Sequence, residues 1–185
     1  MRDEENSLRA WITTGIFAAI IYLGIWVLRI PLPAVVGKPF IHFGNTLTAV
    51  AILYLGFRNG MLAGIIGLGG FDILNGYAAT SWLTMLEVVV VAAVLSAVFK
   101  AFKYEDTPKN IIILAIIAGV TKIFTSYATT FIEGLMAGMA IKADFIGSFA
   151  SMLPTVINSC STAICTPILY FALADASKRI LKRAR

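Results

Sequence analysis

A few polar residues interrupt long apolar segments of this sequence. Glu87 lies two helical turns into one segment, and Lys122 lies near the middle of the next. Three more polar residues follow Lys122 at spacings of four, three and four: Ser126, Thr129 and Glu133. These spacings place them on one face of a helix. Ionisable groups at membrane depth must face a partner, a cavity or water, so the pattern predicts a binding function.

A second polar stripe runs along the last apolar segment, through Ser151, Thr155, Asn158 and Thr162. Three segments therefore carry polar faces, which predicts a shared polar cavity. The structural alternative is that Glu87 and Lys122 form a buried pair that joins two helices. Both can hold at once, because a ligand or water can complete what the pair leaves unsatisfied.

The ends of the apolar segments supply further candidate binding residues, namely His42, Asn45, Asn75, Tyr77 and Trp82. Tyr77 and Trp82 suit either a membrane-interface belt or stacking on a ligand. His42 is the only histidine and no thiol lies near it, so we interpret it as a hydrogen-bonding residue and predict no metal site. The two cysteines, Cys160 and Cys165, are five apart on different helix faces, which favours packing.

The positioning elements follow from the composition. Of 185 residues, 59% are apolar and only 14% are charged, against about 25% charged in soluble domains. We predict a single all-α domain over residues 1–185, a bundle of six transmembrane helices. Its segments are 8–28, 42–57, 61–74, 81–102, 110–136 and 146–173, joined by a loop at 30–41 and turns at 58–60 and 75–77. We interpret the first as a retained span and not a signal peptide.

The basic residues predict the orientation of these spans. Eleven Lys and Arg residues fall on the side that holds both termini, and three fall on the other. Cytoplasmic loops carry the excess of positive charge, so both termini are predicted to be cytoplasmic in a multi-pass plasma-membrane protein. The net charge of +5 is accordingly interpreted as topology and not as a nucleic-acid surface.

Several functions are disfavoured because their motifs are missing. We find no phosphate-binding loop, nucleophile elbow, zinc-protease helix or paired catalytic carboxylates. We therefore predict no enzyme activity and no cofactor. The sequence favours a binding subunit, and the alternative is a self-sufficient proton-coupled transporter or channel that uses Glu87 and Lys122. Gly15 and Ala19, small residues four apart, suit either packing within the bundle or contact with another membrane subunit.

Several short motifs, in order, resemble the substrate-binding S components of energy-coupling factor (ECF) vitamin transporters. They are Ile41-His-Phe-Gly-Asn-Thr, Leu55-Gly-Phe-Arg-Asn-Gly, Gly64-Ile-Ile-Gly, Phe71-Asp with Asn75-Gly-Tyr, Trp82-Leu-Thr, and Pro154-Thr-Val-Ile-Asn with Pro167. The resemblance covers most of the chain and is densest over about 45 residues from His42 onward.

The resemblance implies a subunit that captures a vitamin or its precursor from outside the cell. It would dock on a transmembrane coupling subunit that two cytoplasmic ATPases drive, with Gly15 and Ala19 at that interface. The loops at 31–39 and 75–80 would cover the ligand. A Glu and a Lys together suit pyridoxine or hydroxymethylpyrimidine as the first candidates and pantothenate as the second, while riboflavin and folate remain open.

Overall fold

The chain folds into a bundle of long helices. The computed structural model describes the backbone of residues 2–183 and the side chains of residues 7–176, so the side chains of the predicted basic tail at 178–185 lie outside the described residues. The elements are α1 (Arg2–Val27), β1 (Ile30–Pro31), β2 (Phe40–Ile41), α2 (Gly44–Gly64), a π-helical turn (Ile65–Gly69), α3 (Gly70–Leu74), α4 (Ser81–Ala101), α5 (Pro108–Met136), α6 (Ile141–Ala150) and α7 (Leu153–Arg183). The predicted all-α class is confirmed.

The polarity of the bundle is that of a membrane protein. Large apolar side chains such as Ile16, Leu86 and Ile116 are exposed, whereas Thr46 and Thr166 are completely buried. Within the described residues, five helices are long and apolar enough to cross a bilayer. They are Ser7–Val27, Gly44–Leu74, Ser81–Ala101, Pro108–Met136 and Leu153–Ala176.

The second of these helical stretches folds back on itself at Gly56. This residue has φ +81° and ψ 178°, a left-handed φ that glycine adopts most readily. A Cβ placed on Gly60 would overlap the backbone of Ile52, and one on Gly64 would lie 2.7 Å from Thr48 Cγ2. Residues eight and sixteen apart are about 12 and 24 Å apart along a straight helix, so these contacts require an antiparallel reversal.

The reversal at Gly56 corrects the predicted turn at 58–60. Residues 57–60 are helical, and the arginine and asparagine that suggested a turn lie in the first helical turn after it. Gly60 is there for a different reason, since only a residue without a side chain permits the contact with Ile52. The predicted break at 75–77 is confirmed: α3 ends at Leu74, and Gly76 has φ +92°.

Two further boundaries differ from the sequence prediction. The predicted loop at 30–41 contains a short antiparallel pair of strands, each of two residues, in which Ile30 pairs with Ile41. The predicted single segment at 146–173 is wrong, because α6 and α7 are separate helices with a break at Ser151 and Met152. Pro154 lies in the first turn of α7, where its missing N–H costs no helical hydrogen bond.

One end of the bundle is closely packed by apolar side chains, and we call it the packed half. It comprises Ala49, Ile52, Leu53, Val91, Ala92, Leu95, Ile111, Leu114, Ala118 and Tyr170. These residues come from α2, α4, α5 and α7. The same four helices continue towards the opposite end, where they enclose a cavity.

Candidate functional site

An open cavity of about 470 Å³ occupies the other end of the bundle. Its volume lies within the range of small-molecule sites. We call this end the cavity half. The cavity is lined by residues of the end of α1, the β1–β2 region, the start of α2, the segment from the π-helical turn to α4, the second half of α5, and the start of α7. Polar residues on its wall are Lys38, His42, Asn45, Asp72, Tyr77, Thr80, Thr84, Glu87, Lys122, Ser126, Thr129, Thr130, Glu133, Ser151, Thr155 and Asn158.

An ion pair between Glu87 and Lys122 forms the inner floor of the cavity. Lys122 Nζ donates to Glu87 Oε2, and Thr129 Oγ1 donates to Glu87 Oε1 at 2.9 Å. Glu87 is only 6% exposed. Both carboxylate oxygens therefore have a partner, as a buried charge requires. The two predicted residues pair with each other and face the cavity at the same time.

A second, small void lies against the inner side of this ion pair. It has a volume of about 20 Å³ and is lined in part by Asn45, Thr48, Glu87, Lys122 and Thr162. This is enough space for one water molecule with several polar partners. The ion pair thus separates the open cavity from the interior of the bundle.

Two more carboxylates, Asp72 and Glu133, lie on the wall above the floor. The hydroxyl group of Thr84 lies near Asp72, and that of Thr80 lies near Glu133. Glu133 Oε2 also approaches the β1–β2 loop, because it lies 2.8 Å from where a Cβ of Gly37 would be. A hydroxyl group can satisfy only part of a carboxylate, so Asp72 and Glu133 can each accept hydrogen bonds from a ligand.

The β1–β2 loop is attached to α7 and the residues before it by two side chains. Ser151 Oγ accepts from the backbone N–H groups of Val35 and Val36, both at 3.0 Å. Asn158 Oδ1 accepts from His42 N at 3.0 Å, and its Nδ2 donates to Phe40 O at 3.0 Å. Asn158, a candidate ligand contact, therefore uses its amide to hold this loop beside the cavity.

Three aromatic rings form a cluster at the cavity. The Phe40 ring lies 5.8 Å from the rings of Phe71 and Tyr77. The Arg29 guanidinium carbon lies 4.9 Å from the centroid of Phe40, and its Nη2 donates to Tyr77 Oη at 3.3 Å. A cation over an aromatic face is attractive, so Arg29 holds the cluster together.

His42 is neutral in the folded protein. Its Nδ1 accepts from Gly44 N at 3.0 Å. Burial, and to a smaller extent the nearby positive charge of Lys122, lowers its pKa from 6.5 to about 3. Within the described residues, no three His, Cys, Asp or Glu side chains come together as a metal site would require.

The structure brings seven of the nine candidate ligand residues to the cavity wall. They are His42, Asn45, Tyr77, Glu87, Lys122, Ser126 and Asn158. Asn75 does not line it, since its Nδ2 donates to Phe71 O at 2.8 Å and to Tyr22 Oη at 3.4 Å. Trp82 is 48% exposed on the outside of α4, where a membrane-interface aromatic belongs.

Four residues in or beside the cavity are missing from the set of candidate ligand residues predicted from the sequence. Glu133 was predicted on the polar stripe of Lys122, and that spacing could have added it. Asp72 follows a glycine-rich helix, and its isolation in an apolar stretch was a signal. Phe40 and Arg29 carried none, because apolar and basic residues are ordinary at the end of a span.

The helices and the cavity together define a class: an α-helical membrane protein with an open, polar, ligand-sized cavity. The chain matches the family of ECF-type riboflavin transporter S components over residues 5–175. It therefore belongs to this family, which confirms the resemblance seen in the sequence and the multi-pass plasma-membrane location. The family is one of transporter components and not of enzymes. No curated protein and no solved structure matches the chain.

Proposed function

We propose that this chain is the high-affinity substrate-binding subunit of an ECF-type ATP-driven importer. It captures a B vitamin or vitamin precursor in the open cavity and releases it to the cytoplasm on a transmembrane coupling subunit driven by two ATPases. The observation that carries the proposal is the cavity of about 470 Å³, with an ion pair as its floor and aromatic rings on its wall.

The proposed orientation places the cavity half outside the cell. The reversal at Gly56 divides the Gly44–Leu74 stretch into two limbs, which supports six crossings in one domain with both termini in the cytoplasm. Arg58, Lys100, Lys103 and Lys109 all lie near the packed half, at the helix ends remote from the cavity. Positive residues favour the cytoplasmic side. The cavity therefore opens to the side from which a vitamin arrives.

The contents of the cavity favour an aromatic, hydroxyl-bearing ligand without negative charge. Lys122 is already paired with Glu87, so a ligand carboxylate would have to displace a buried partner. This disfavours pantothenate and folate, which both carry carboxylates. The family name supports riboflavin, whose ring and hydroxyl chain suit aromatic and carboxylate groups on the same wall. Pyridoxine and hydroxymethylpyrimidine are smaller candidates of the same chemical class.

Equilibrium binding to the purified protein tests the proposal. Riboflavin, pyridoxine, hydroxymethylpyrimidine and pantothenate are titrated separately, and we expect saturable binding of at least one of the first three. Tyr77→Leu removes an aromatic ring from the wall and should weaken binding roughly tenfold. Trp82→Leu is the matched control on the outer surface and should leave the Kd unchanged. No saturable binding to any of the four vitamins would contradict the proposal.

Reconstitution distinguishes a binding subunit from a self-sufficient transporter. The proposal predicts no uptake into liposomes by this chain alone, even with a pH gradient, and uptake once coupling subunit, ATPases and ATP are present. Uptake by the chain alone would establish the proton-coupled alternative instead.

The partner surface is proposed on α1. Gly15 and Ala19 are both exposed, and a Cβ on Gly15 would meet no atom within 4 Å. A flat surface of small residues permits close approach of another helix. Gly15→Leu should therefore reduce copurification of the coupling subunit while vitamin binding by the isolated chain stays unchanged. Equal recovery of the complex with Gly15→Leu would exclude this surface.

A further inference from the structure

The charges inside the cavity are unbalanced. Asp72, Glu87, Glu133 and Lys122 all line it and are close enough to interact electrostatically. Three carboxylates thus share the cavity wall with two ammonium groups, those of Lys122 and Lys38. Lys122 is paired with Glu87, so its charge is already compensated by the nearest carboxylate.

Within the described residues, neither of the other two carboxylates forms an ion pair. Asp72 and Glu133 each lie near a threonine hydroxyl. Among the described residues of the cavity, the ion pair is that of Glu87 with Lys122. The nearby cations are engaged elsewhere or lie in solvent. Arg29 stacks on the aromatic cluster, and Lys38 is exposed on the β1–β2 loop.

Two uncompensated carboxylates determine which ligand groups this wall accepts. An ionised carboxylate is purely an acceptor, so it binds hydroxyl and N–H donors of a ligand. A phosphate monoester carries a charge of about −1.5 to −2 at neutral pH. At a separation of about 8 Å and an effective dielectric constant of about 20, each pair of like charges weakens binding roughly 30-fold.

We propose that Asp72 and Glu133 are specificity-determining residues that make the cavity accept a free, hydroxyl-bearing vitamin and reject its phosphate monoester. This selectivity rests on the proposed function, since it concerns the same cavity. It also extends that function, because nothing in aromatic stacking distinguishes a vitamin from its ester: the ring is identical in both.

The test compares the Kd of riboflavin with that of riboflavin 5′-phosphate, and the Kd of pyridoxine with that of its 5′-phosphate. For whichever free vitamin binds, the wild type should bind the ester at least 100-fold more weakly. Asp72→Asn and Glu133→Gln keep the shape of each side chain and remove its charge. Each should reduce the ratio of the ester Kd to the free-vitamin Kd roughly 30-fold, mainly by tighter binding of the ester.

Two control variants make the effect specific to charge. Thr155→Val removes a polar group from the wall without changing the charge. It should change the Kd of the free vitamin and the Kd of its ester by the same factor. Lys38→Gln removes a positive charge from an exposed loop position, where folding is unaffected. It should weaken binding of the ester relative to that of the free vitamin. This opposite sign is expected only if electrostatic repulsion is the cause.

The outcomes separate the two proposals. Free vitamin and ester bound with similar Kd values would overturn the charge selectivity and leave the binding function intact. The charge selectivity would also be overturned if the ester bound much more weakly than the free vitamin and none of Asp72→Asn, Glu133→Gln and Lys38→Gln changed that difference. Failure of every free vitamin to bind would contradict the proposed function, and the selectivity with it.

Discussion

The two halves of the bundle are built from the same helices and differ at one helical turn. On α5, Leu114 and Ala118 are buried in the packed half, and the next residue of that stripe is Lys122 at the cavity. On α4 the order is reversed, because Glu87 precedes Val91. The packed half is filled by apolar groups that need no partner, whereas the cavity half leaves space between polar groups that need one.

The comparison shows how a membrane protein can keep an open site without losing its fold. Packing in one half fixes where the four helices stand, and the polar residues of the other half need not fill space to hold them apart. The cavity half combines specific polar pairs with an apolar cluster that includes Ile25 and Phe71, whereas the packed half is stabilised by shape. Changes in the two halves should therefore have separable effects on stability and on binding.

The largest loss of stability is expected from breaking the ion pair of Glu87 with Lys122 in the cavity half. Lys122→Met leaves the carboxylate of Glu87, 6% exposed, without its cation. Breaking one partner of a buried pair costs about 3–5 kcal/mol of unfolding free energy. Unfolding in detergent measures this loss, which should coincide with weaker vitamin binding.

A second substitution provides the control for this pair. Adding Glu87→Leu to Lys122→Met removes the unpaired charge, so most of the lost stability should return while binding stays weak. A double variant as unstable as Lys122→Met would show that the pair acts through packing and not through charge.

A truncated side chain in the packed half should destabilise the protein without altering the binding cavity. Leu114→Ala removes a side chain that is fully buried and should cost about 3 kcal/mol. The Kd for the vitamin should change less than twofold at temperatures where the variant is folded. Ile112→Ala on the same helix is the matched control, because Ile112 is 46% exposed and its truncation leaves no internal cavity. A large change in Kd for Leu114→Ala would show that the halves are coupled.

The sequence predicted the polar stripes because their chemistry is local. Lys122, Ser126 and Asn158 reach the cavity since a polar residue in an apolar helix must face inwards, and helical spacing gives its direction. The aromatic cluster could not be predicted in this way. Phe40 lies on β2 and Tyr77 in the turn between α3 and α4, and only the folded chain places them against Arg29.

Two helix boundaries were predicted wrongly for a related reason. The reversal at Gly56 was assigned to the more polar residues 58–60, although a left-handed φ depends on the backbone and not on polarity. The division between α6 and α7 at Ser151 depends on a tertiary contact, since Ser151 accepts two N–H groups of the β1–β2 loop. Neither signal is present in a hydropathy pattern.

The glycines of the helical hairpin offer an intermediate test. Gly60→Ala places a methyl group against the backbone of Ile52, which forces the two limbs apart and should cost about 1–3 kcal/mol. Gly70→Ala is the matched control, because a Cβ there meets nothing within 4 Å and a helical alanine should stabilise by about 0.5–1 kcal/mol. Thermal unfolding of the two variants should shift in opposite directions. Equal shifts would contradict the antiparallel packing at Gly60.

The smallest effect is a pH dependence carried by the single histidine, at the edge of the cavity half. His42 has a pKa of about 3 when folded and about 6.5 when unfolded. Below pH 6.5 the unfolded chain therefore binds a proton that the folded chain does not, and stability falls as the pH falls towards 3. Between pH 7.5 and 5.5 this contribution is about 1.4 kcal/mol.

His42→Asn isolates this contribution from those of other titrating groups. An asparagine Oδ1 can replace His42 Nδ1 as acceptor for Gly44 N, so the loop geometry is kept while the titration is removed. From pH 7.5 to pH 5.5, the unfolding free energy of this variant should fall by about 1.4 kcal/mol less than that of the wild type. An identical pH dependence in both would mean that water reaches the imidazole in the folded protein. The cavity half would then be hydrated up to the base of the β1–β2 hairpin, and its contrast with the packed half would be sharper still.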